Sequence, residues 1–234
     1  MSYLNITIED HVVPQLLTSA LEAYEIRDQN HRKKLDKLET FGLLWGYVIP
    51  ERKNRKPRII ATVATVETSA LRKNDSVTPE LDSLKMKMEF VHRYWPHLEV
   101  VGTFHSHPYT SLEEVKGCKG WQASTDGGDL DFWPHIHKEL FPKTPYLAHL
   151  IVTVTKLTKK GWALPRQIQD ESGFELSMGR RKLWITSYGT EMKTPKTKDD
   201  EDVMDRDEGI TYEMMKYFPA IDIPSLTTRV LSGN

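Results

Sequence analysis

The chain of 234 residues holds one cysteine, Cys118, so no disulfide can form within it. That suits a reducing compartment and leaves the fold to a packed core, for which this length is ample. No apolar run approaches the roughly 20 residues that cross a bilayer. The opening "MSYLNITIED" lacks the basic-then-apolar order of a secretory signal. An excess of positive charge is also missing: 32 basic against 33 acidic residues give a net charge of −1. Nucleic acid and anionic membranes, which ask for a basic surplus, are therefore not expected as partners. No internal repeat is present. The expectation is a soluble, cytoplasmic, globular protein.

What is there is a succession of short periodic segments. "YLNITIE" alternates as a half-buried strand does. Val13, Leu16, Leu17, Ala20, Leu21 and Tyr24 recur at helical spacing, and from Arg27 to Lys37 the helix is expected to emerge into solvent. "TFGLLWGYVIP" and "RIIATVATVETSA" read as a hairpin joined by the basic turn "ERKNRKP". Thr78 and Pro79 look like the cap and first residue of a second helix, with Leu81, Leu84, Met88, Val91 and Tyr94 on one apolar face. "LEVVGTF" reads as a buried strand. The stretch from Tyr109 to Gly128 shows no clear period and is predicted to be a loop. "DLDFWPHIHKELF" is predicted to be partly helical, starting late or broken at Pro134. "YLAHLIVTVTKL", "GWALPRQI", "GFELSM" and "RKLWITSYG" read as strands. Residues 1–189 are thus expected to form one domain of α/β or α+β class around a mixed sheet. Residues 190–208 are charged and poor in apolar side chains, as a linker or disordered loop would be. Residues 209–234 regain apolar content and are a candidate to dock back on the domain.

The chemistry concentrates at "VGTFHSHPYT", residues 101–110. Side chains at i and i+2 of a strand share a face, so His105 and His107 present two imidazoles to one point. In a helix the same spacing would separate them by about 200°. That sets aside His135 and His137 as surface or packing residues. Two imidazoles call for a third ligand if they hold catalytic zinc, which takes three protein ligands and keeps one open position. "STDGGDLDFW" supplies Asp126, Asp129 and Asp131, with Gly127 and Gly128 free to turn the backbone tightly. Proton transfer at hydrolytic zinc sites is usually the work of a glutamate, and "ETFGLLWG" offers Glu39.

Taken in order, Glu39, "GLLWG", "HSHP" at 105–108 and a serine-to-aspartate segment before a helix resemble the JAMM metalloprotease motif of MPN-type domains. The resemblance covers roughly residues 1–155. It implies a cytidine-deaminase-like mixed β-sheet flanked by helices, with Zn2+ as cofactor. It implies His105, His107 and a motif aspartate as ligands, Glu39 as the general base and later the acid, and the motif serine as an oxyanion donor. The substrate class it implies is a ubiquitin-like protein or its conjugate, cut at an amide or isopeptide bond by a deubiquitinase-like enzyme. The compact chain is similar to the prokaryotic type, whose settings are sulfur-carrier processing and ubiquitin-like antiviral systems. The pattern departs from the family at the serine. Ser124 is followed three places on by Gly127, and Asp129 stands five places on. Asp129 is preferred as ligand because an apolar residue follows it, as in the family. Asp126 is the rival and Asp131 the third choice, with Ser124 the oxyanion candidate.

Two other readings stand beside the zinc peptidase. One is a non-catalytic MPN-type interaction module. The other is a different metal-dependent hydrolase, such as a phosphoesterase, though those place the histidine pair early in a longer β/α chain. Of the remaining residues, Trp45, Phe90, Tyr94 and Trp95 read as core or rim packing. His92, His97 and His149 read as structural, and Cys118 as a free surface or loop thiol.

Overall fold

The computed structural model describes residues 4–26, 36–53, 55–125, 127–168, 172–193, 210–215 and 219–227. In chain order the elements are β1 Asn5–Ile8, α1 Val12–Glu25, β2 Phe41–Ile49, β3 Arg58–Val66, β4 Leu71–Arg72, β5 Val77–Thr78 and α2 Leu81–Tyr94. Then come β6 Glu99–Tyr109, α3 Leu112–Cys118, α4 Asp129–Leu140, β7 Tyr146–Gln167, β8 Gly173–Lys193, β9 Thr211–Met214 and β10 Ala220–Asp222. Eight strands form one mixed sheet in the order β10-β1-β3-β2-β6-β7-β8-β9, and β4 pairs with β5 apart from it. The class is α+β, a large mixed sheet flanked by helices. Among the described residues no helix is long and apolar enough to cross a membrane.

Each sheet face buries its own core. Val12, Leu16, Ala20 and Tyr24 of α1 pack with Leu44, Val101, Phe104 and Val152 on one side. On the other, Phe41, Leu43, Trp45 and Leu147 meet Leu84 of α2 and Ile136 and Leu140 of α4. The alternation within β2 and β6 divides their side chains between these two cores. Near the end of β3, the buried Glu67 accepts from Ser69, Ser83 and Lys87, and the Lys87 pair at 2.8 Å ties α2 to the sheet.

Several local expectations need correction. α2 begins after Glu80, whose side chain accepts from Asp82 N, while Thr78 closes β5. Its outer side carries Phe90, Tyr94 and Trp95, 54%, 60% and 47% exposed, so these aromatics are not core. Their rings pack on one another at centroid distances of 5.1–6.1 Å. The predicted loop contains α3, capped by Ser111 Oγ accepting from Glu114 N and ended by Lys119 at φ 53°. Seven residues with one buried apolar side chain, Val115, are too few to show a period. Pro134 neither delays nor breaks α4. It removes one intrahelical hydrogen bond, and burial of Trp133, Ile136, His137 and Leu140 outweighs that loss. The strands read separately between 146 and 189 are two long arms, β7 and β8. The stretch expected to begin as linker at 190 begins inside β8, and residues 194–209 lie outside the described residues, as do 27–35. Beyond them, β9 pairs with β8 and β10 with β1.

Of the two histidines set aside in α4, His135 is exposed and His137 fully buried. His137 Nε2 lies 2.7 Å from the Thr144 carbonyl, and its Nδ1 lies 2.7 Å from Thr190 Oγ1. His149 Nε2 meets the same hydroxyl at 3.0 Å, and its Nδ1 meets Thr103 Oγ1 at 2.8 Å. A carbonyl only accepts, so the direction of the whole chain follows. His137 donates to Thr144, Thr190 donates to His137, His149 donates to Thr190, and Thr103 donates to His149. Both rings are neutral in this pattern. Burial pulls His137 down to about 4, and it pulls His149 well below its usual value too. The unfolded chain therefore takes up protons first as pH falls. The stability from this chain is present above about pH 6.5 and is lost on the way to pH 4. His137 alone is expected to cost about 2 kcal/mol between pH 6.5 and 5. Urea unfolding at the two pH values measures it, and a His137→Gln variant should show a smaller fall.

Candidate metal centre

β6 stays extended through both histidines and on to Tyr109, with Pro108 inside it. The proline is harmless there for a geometric reason. Ser106 N–H points to β2, where it donates to the Thr40 carbonyl at 3.0 Å. Position 108 points the same way, past the start of β2 at Phe41, so no donor is missed. On the other edge, β7 pairs with β6 through Tyr109. His105 and His107 thus share one face, 5% and 8% exposed. Their Nε2 atoms approach to 2.9 Å.

Asp129, the first residue of α4, closes the cluster. Its Oδ1 lies 3.0 Å from His105 Nε2 and its Oδ2 3.4 Å from His107 Nε2. The His107 Nδ1 atom lies 3.2 Å from the Gly120 carbonyl. It therefore carries a proton, and neutral His107 presents its Nε2 lone pair inward. That lone pair is met either by a proton on His105 Nε2, 2.9 Å away, or by a metal ion between the rings. Ligand bonds of about 2.0–2.1 Å in a tetrahedron set donor atoms about 3.3 Å apart. The separations of 2.9, 3.0 and 3.4 Å, the last two to different oxygens of Asp129, bring all three groups within reach of one ion. His105, His107 and Asp129 could therefore hold a metal ion. Two imidazoles and one carboxylate fit a divalent cation and leave a tetrahedral ion one further position.

The electrostatics agree. Burial raises Asp129, but hydrogen bonds and charge from both histidines outweigh it and hold its carboxyl far below the usual range. Burial lowers His107, and Asp129, Glu39 and the Gly120 carbonyl together reverse this to a net rise. The site favours positive charge at the His107 ring and negative charge at the Asp129 carboxylate, as a cation centre should.

Glu39 is brought to the same place by β2. Phe41 pairs with His105, and Thr40 N donates to Ser106 Oγ at 2.9 Å. Position 39 then lies two residues along from Phe41, on its face and level with His107. Glu39 N donates to the Lys73 carbonyl at 2.8 Å, so the small β4–β5 hairpin fixes the backbone there. The side chain is 6% exposed. Burial is the main cause that raises its pKa, with His105 and His107 pulling it back and Asp129 adding to the rise. All three cluster residues thus act on the Glu39 carboxylate.

The serine-to-aspartate segment closes its longer spacing with glycine. Ser124 N and Ser124 Oγ both donate to Asp129 Oδ2, at 2.8 and 2.9 Å, and Ser124 Oγ accepts from Asp129 N at 2.9 Å. The hydroxyl proton expected at an oxyanion is here committed to Asp129. Gly127 takes φ 86°, and a Cβ on Gly128 would lie 2.1 Å from Ser124 Oγ. Only glycine leaves room for this clasp. Asp131 is not among the clustered ligands and accepts from Gly127 N at 2.6 Å. Asp126 lies outside the described residues. Gly128→Ala should push Ser124 off Asp129 and weaken metal binding about 10–100-fold, as loss of a ligand's outer partner does. Zinc titration against a chromogenic chelator reads this, with circular dichroism to show that the fold is kept.

The sequence points to the five residues 39, 105, 107, 124 and 129 and to the glycine pair 127 and 128, but not to their other supports. Ser106 points away from the cluster and holds Thr40, which sets Glu39. Gly120 fixes the His107 tautomer. Trp133 stacks on His149 at 4.8 Å and stands 5.9 Å from the His105 ring. Gly128 was the legible one, since paired glycines before a helix ask what needs the space.

The chain matches the model of no known protein family, and no curated protein is significantly similar to it in sequence. What the geometry supports is that His105, His107 and Asp129 could hold a metal ion.

Proposed function

We propose that the chain is a zinc-dependent peptidase of the JAMM type on an MPN-like fold. Its reaction is hydrolysis of an amide or isopeptide bond at the C-terminus of a ubiquitin-like protein. One observation carries the reading: a buried glutamate with a raised pKa, just ahead of a separate strand that pairs with His105, feels the charge of two histidines and an aspartate gathered for a metal. A non-catalytic interaction module gives no reason to bury an acid at that point.

His105, His107 and Asp129 would hold the zinc, with Gly120 and Ser124 orienting two of these ligands. Zinc, when bound, polarises the amide carbonyl and lowers the pKa of its water. Glu39 takes the proton from the attacking water and hands it to the departing amine. Its raised pKa suits both tasks, because the carboxylate accepts readily and its acid form gives the proton up to a more basic nitrogen. Ser124 acts here on Asp129.

The test uses purified full-length protein. Zinc content by atomic emission should be about one per chain, and a linear fusion of a ubiquitin-like protein to a fluorescent protein should be cut at the junction. Dipicolinate should stop the cut and added zinc restore it. Zinc-replete protein that cleaves neither this fusion nor an isopeptide conjugate overturns the proposal.

A further inference from the structure

Beside the metal centre, on the same sheet face, lies a groove of about 570 Å3 between α3, the loop that follows it and the far end of the β7–β8 arms. Lys116, Trp121, Arg166, Glu175, Lys182 and Trp184 line it. Three cations against one carboxylate leave two net positive charges. Glu175 is already fully used. It accepts from Arg166 Nε at 2.9 Å and from Trp184 Nε1 at 3.1 Å, and it pairs with Lys182 at 2.9 Å. Trp121 stacks on Trp184 at 5.9 Å and 19°, and Lys182 sits 5.0 Å over the Trp184 ring. The two tryptophans thus form one fixed wall, while Lys116 and Arg166 are exposed at the rim, Arg166 with a guanidinium that also pairs with Glu175 through Nε and Nη2.

The groove is tied to the catalytic side through the backbone. Trp184 pairs with Thr153, and Thr153 with His107, which sets the groove two strand spacings, about 10 Å, from the ligand. Gly120, which holds His107, is followed directly by Trp121, whose carbonyl accepts from Thr186 Oγ1 at 2.8 Å. About 10 Å is three residues of extended polypeptide.

We infer that this groove receives an acidic side chain of the substrate polypeptide about three residues from the bond that is cut. The inference rests on the peptidase reading for the position of that bond, but not for the binding itself. The tryptophan wall takes the apolar stem of a glutamate, and Lys116 and Arg166 take its carboxylate.

Two measurements on the zinc-loaded full chain test it. First, the fusion is made with Glu, Ala or Lys at the third residue on either side of the junction. On one side Glu should exceed Lys by about tenfold in kcat/KM, mainly through KM, and Lys116→Glu with Arg166→Glu should reverse the order. Equal rates on both sides overturn the inference. Second, a fluorescein-labelled hexaglutamate peptide is titrated by polarisation. It should bind saturably, weaken with salt and lose about tenfold in affinity in the same double variant. No binding, or equal binding by variant and parent, overturns the inference. Variant-sensitive binding by a protein that cuts no amide keeps the acidic-segment groove and removes the peptidase.

Discussion

Replacing Glu39 by glutamine is expected to lower kcat by a factor of about 10²–10⁴, the usual share of a general base, with zinc content unchanged. The two side chains have nearly the same shape, so β2 and its Ser106 anchor should persist. The amide cannot accept a proton from water or return one to the leaving nitrogen. Zinc should stay because Glu39 is not one of the three clustered ligand atoms. The same residue sets the acid limb of the rate profile. Burial lifts Glu39 above the ordinary glutamate range, so activity should fall off at a higher pH than a solvent-exposed glutamate would give. The sign is fixed: the base works deprotonated, and the rate rises with pH as the carboxyl ionises. Cleavage of the fluorescent fusion from pH 5 to 8 by both proteins gives the two readouts. A Glu39→Gln protein that keeps full activity removes the mechanism.

Period-two spacing makes the histidine pair legible in the chain itself, because a strand can aim residues 105 and 107 at one point and a helix cannot. Glu39 is legible only in company. A lone glutamate ahead of an apolar strand is usually a solvated residue, and the order of motifs gives it meaning. The third ligand is harder, since distance along a loop says little about distance in space. Asp126, Asp129 and Asp131 lie within six residues, and what separates Asp129 from Asp131 is which backbone N–H each meets. Asp129 takes that of Ser124, while Asp131 takes that of Gly127. Such pairing follows from two glycine torsions that no periodicity encodes. The outward aromatics of α2 mislead for a related reason. Met86, Phe90 and Tyr94 are four apart, the spacing of a buried face, but Leu84 already occupies the side against the sheet. Tyr94 fits both rows, and amphipathic spacing cannot say which row is covered.

Asp129→Ala is expected to take zinc from about one per chain to below a tenth after dialysis against micromolar chelator, and with it all hydrolysis. Losing a direct ligand should exceed the roughly 10–100-fold that losing a ligand's outer partner costs. Two imidazoles alone leave the cation without its one anionic donor. The change should also weaken the metal-free protein. Asp129 answers both histidines and two donors of Ser124, all of which lose their acceptor together. Removing one partner of a buried charged set costs about 3 kcal/mol, which for a chain of this size lowers Tm by roughly 6–12 °C. Asp131→Ala is the control, since its carboxylate accepts from Gly127 N and is not one of the three clustered ligands among the described residues. It should keep zinc and lose only a little stability. Atomic emission and thermal circular dichroism on the two variants separate the cases. Zinc retained by Asp129→Ala but lost by Asp131→Ala would move the third ligand by two residues and undo the clasp through which Ser124 acts.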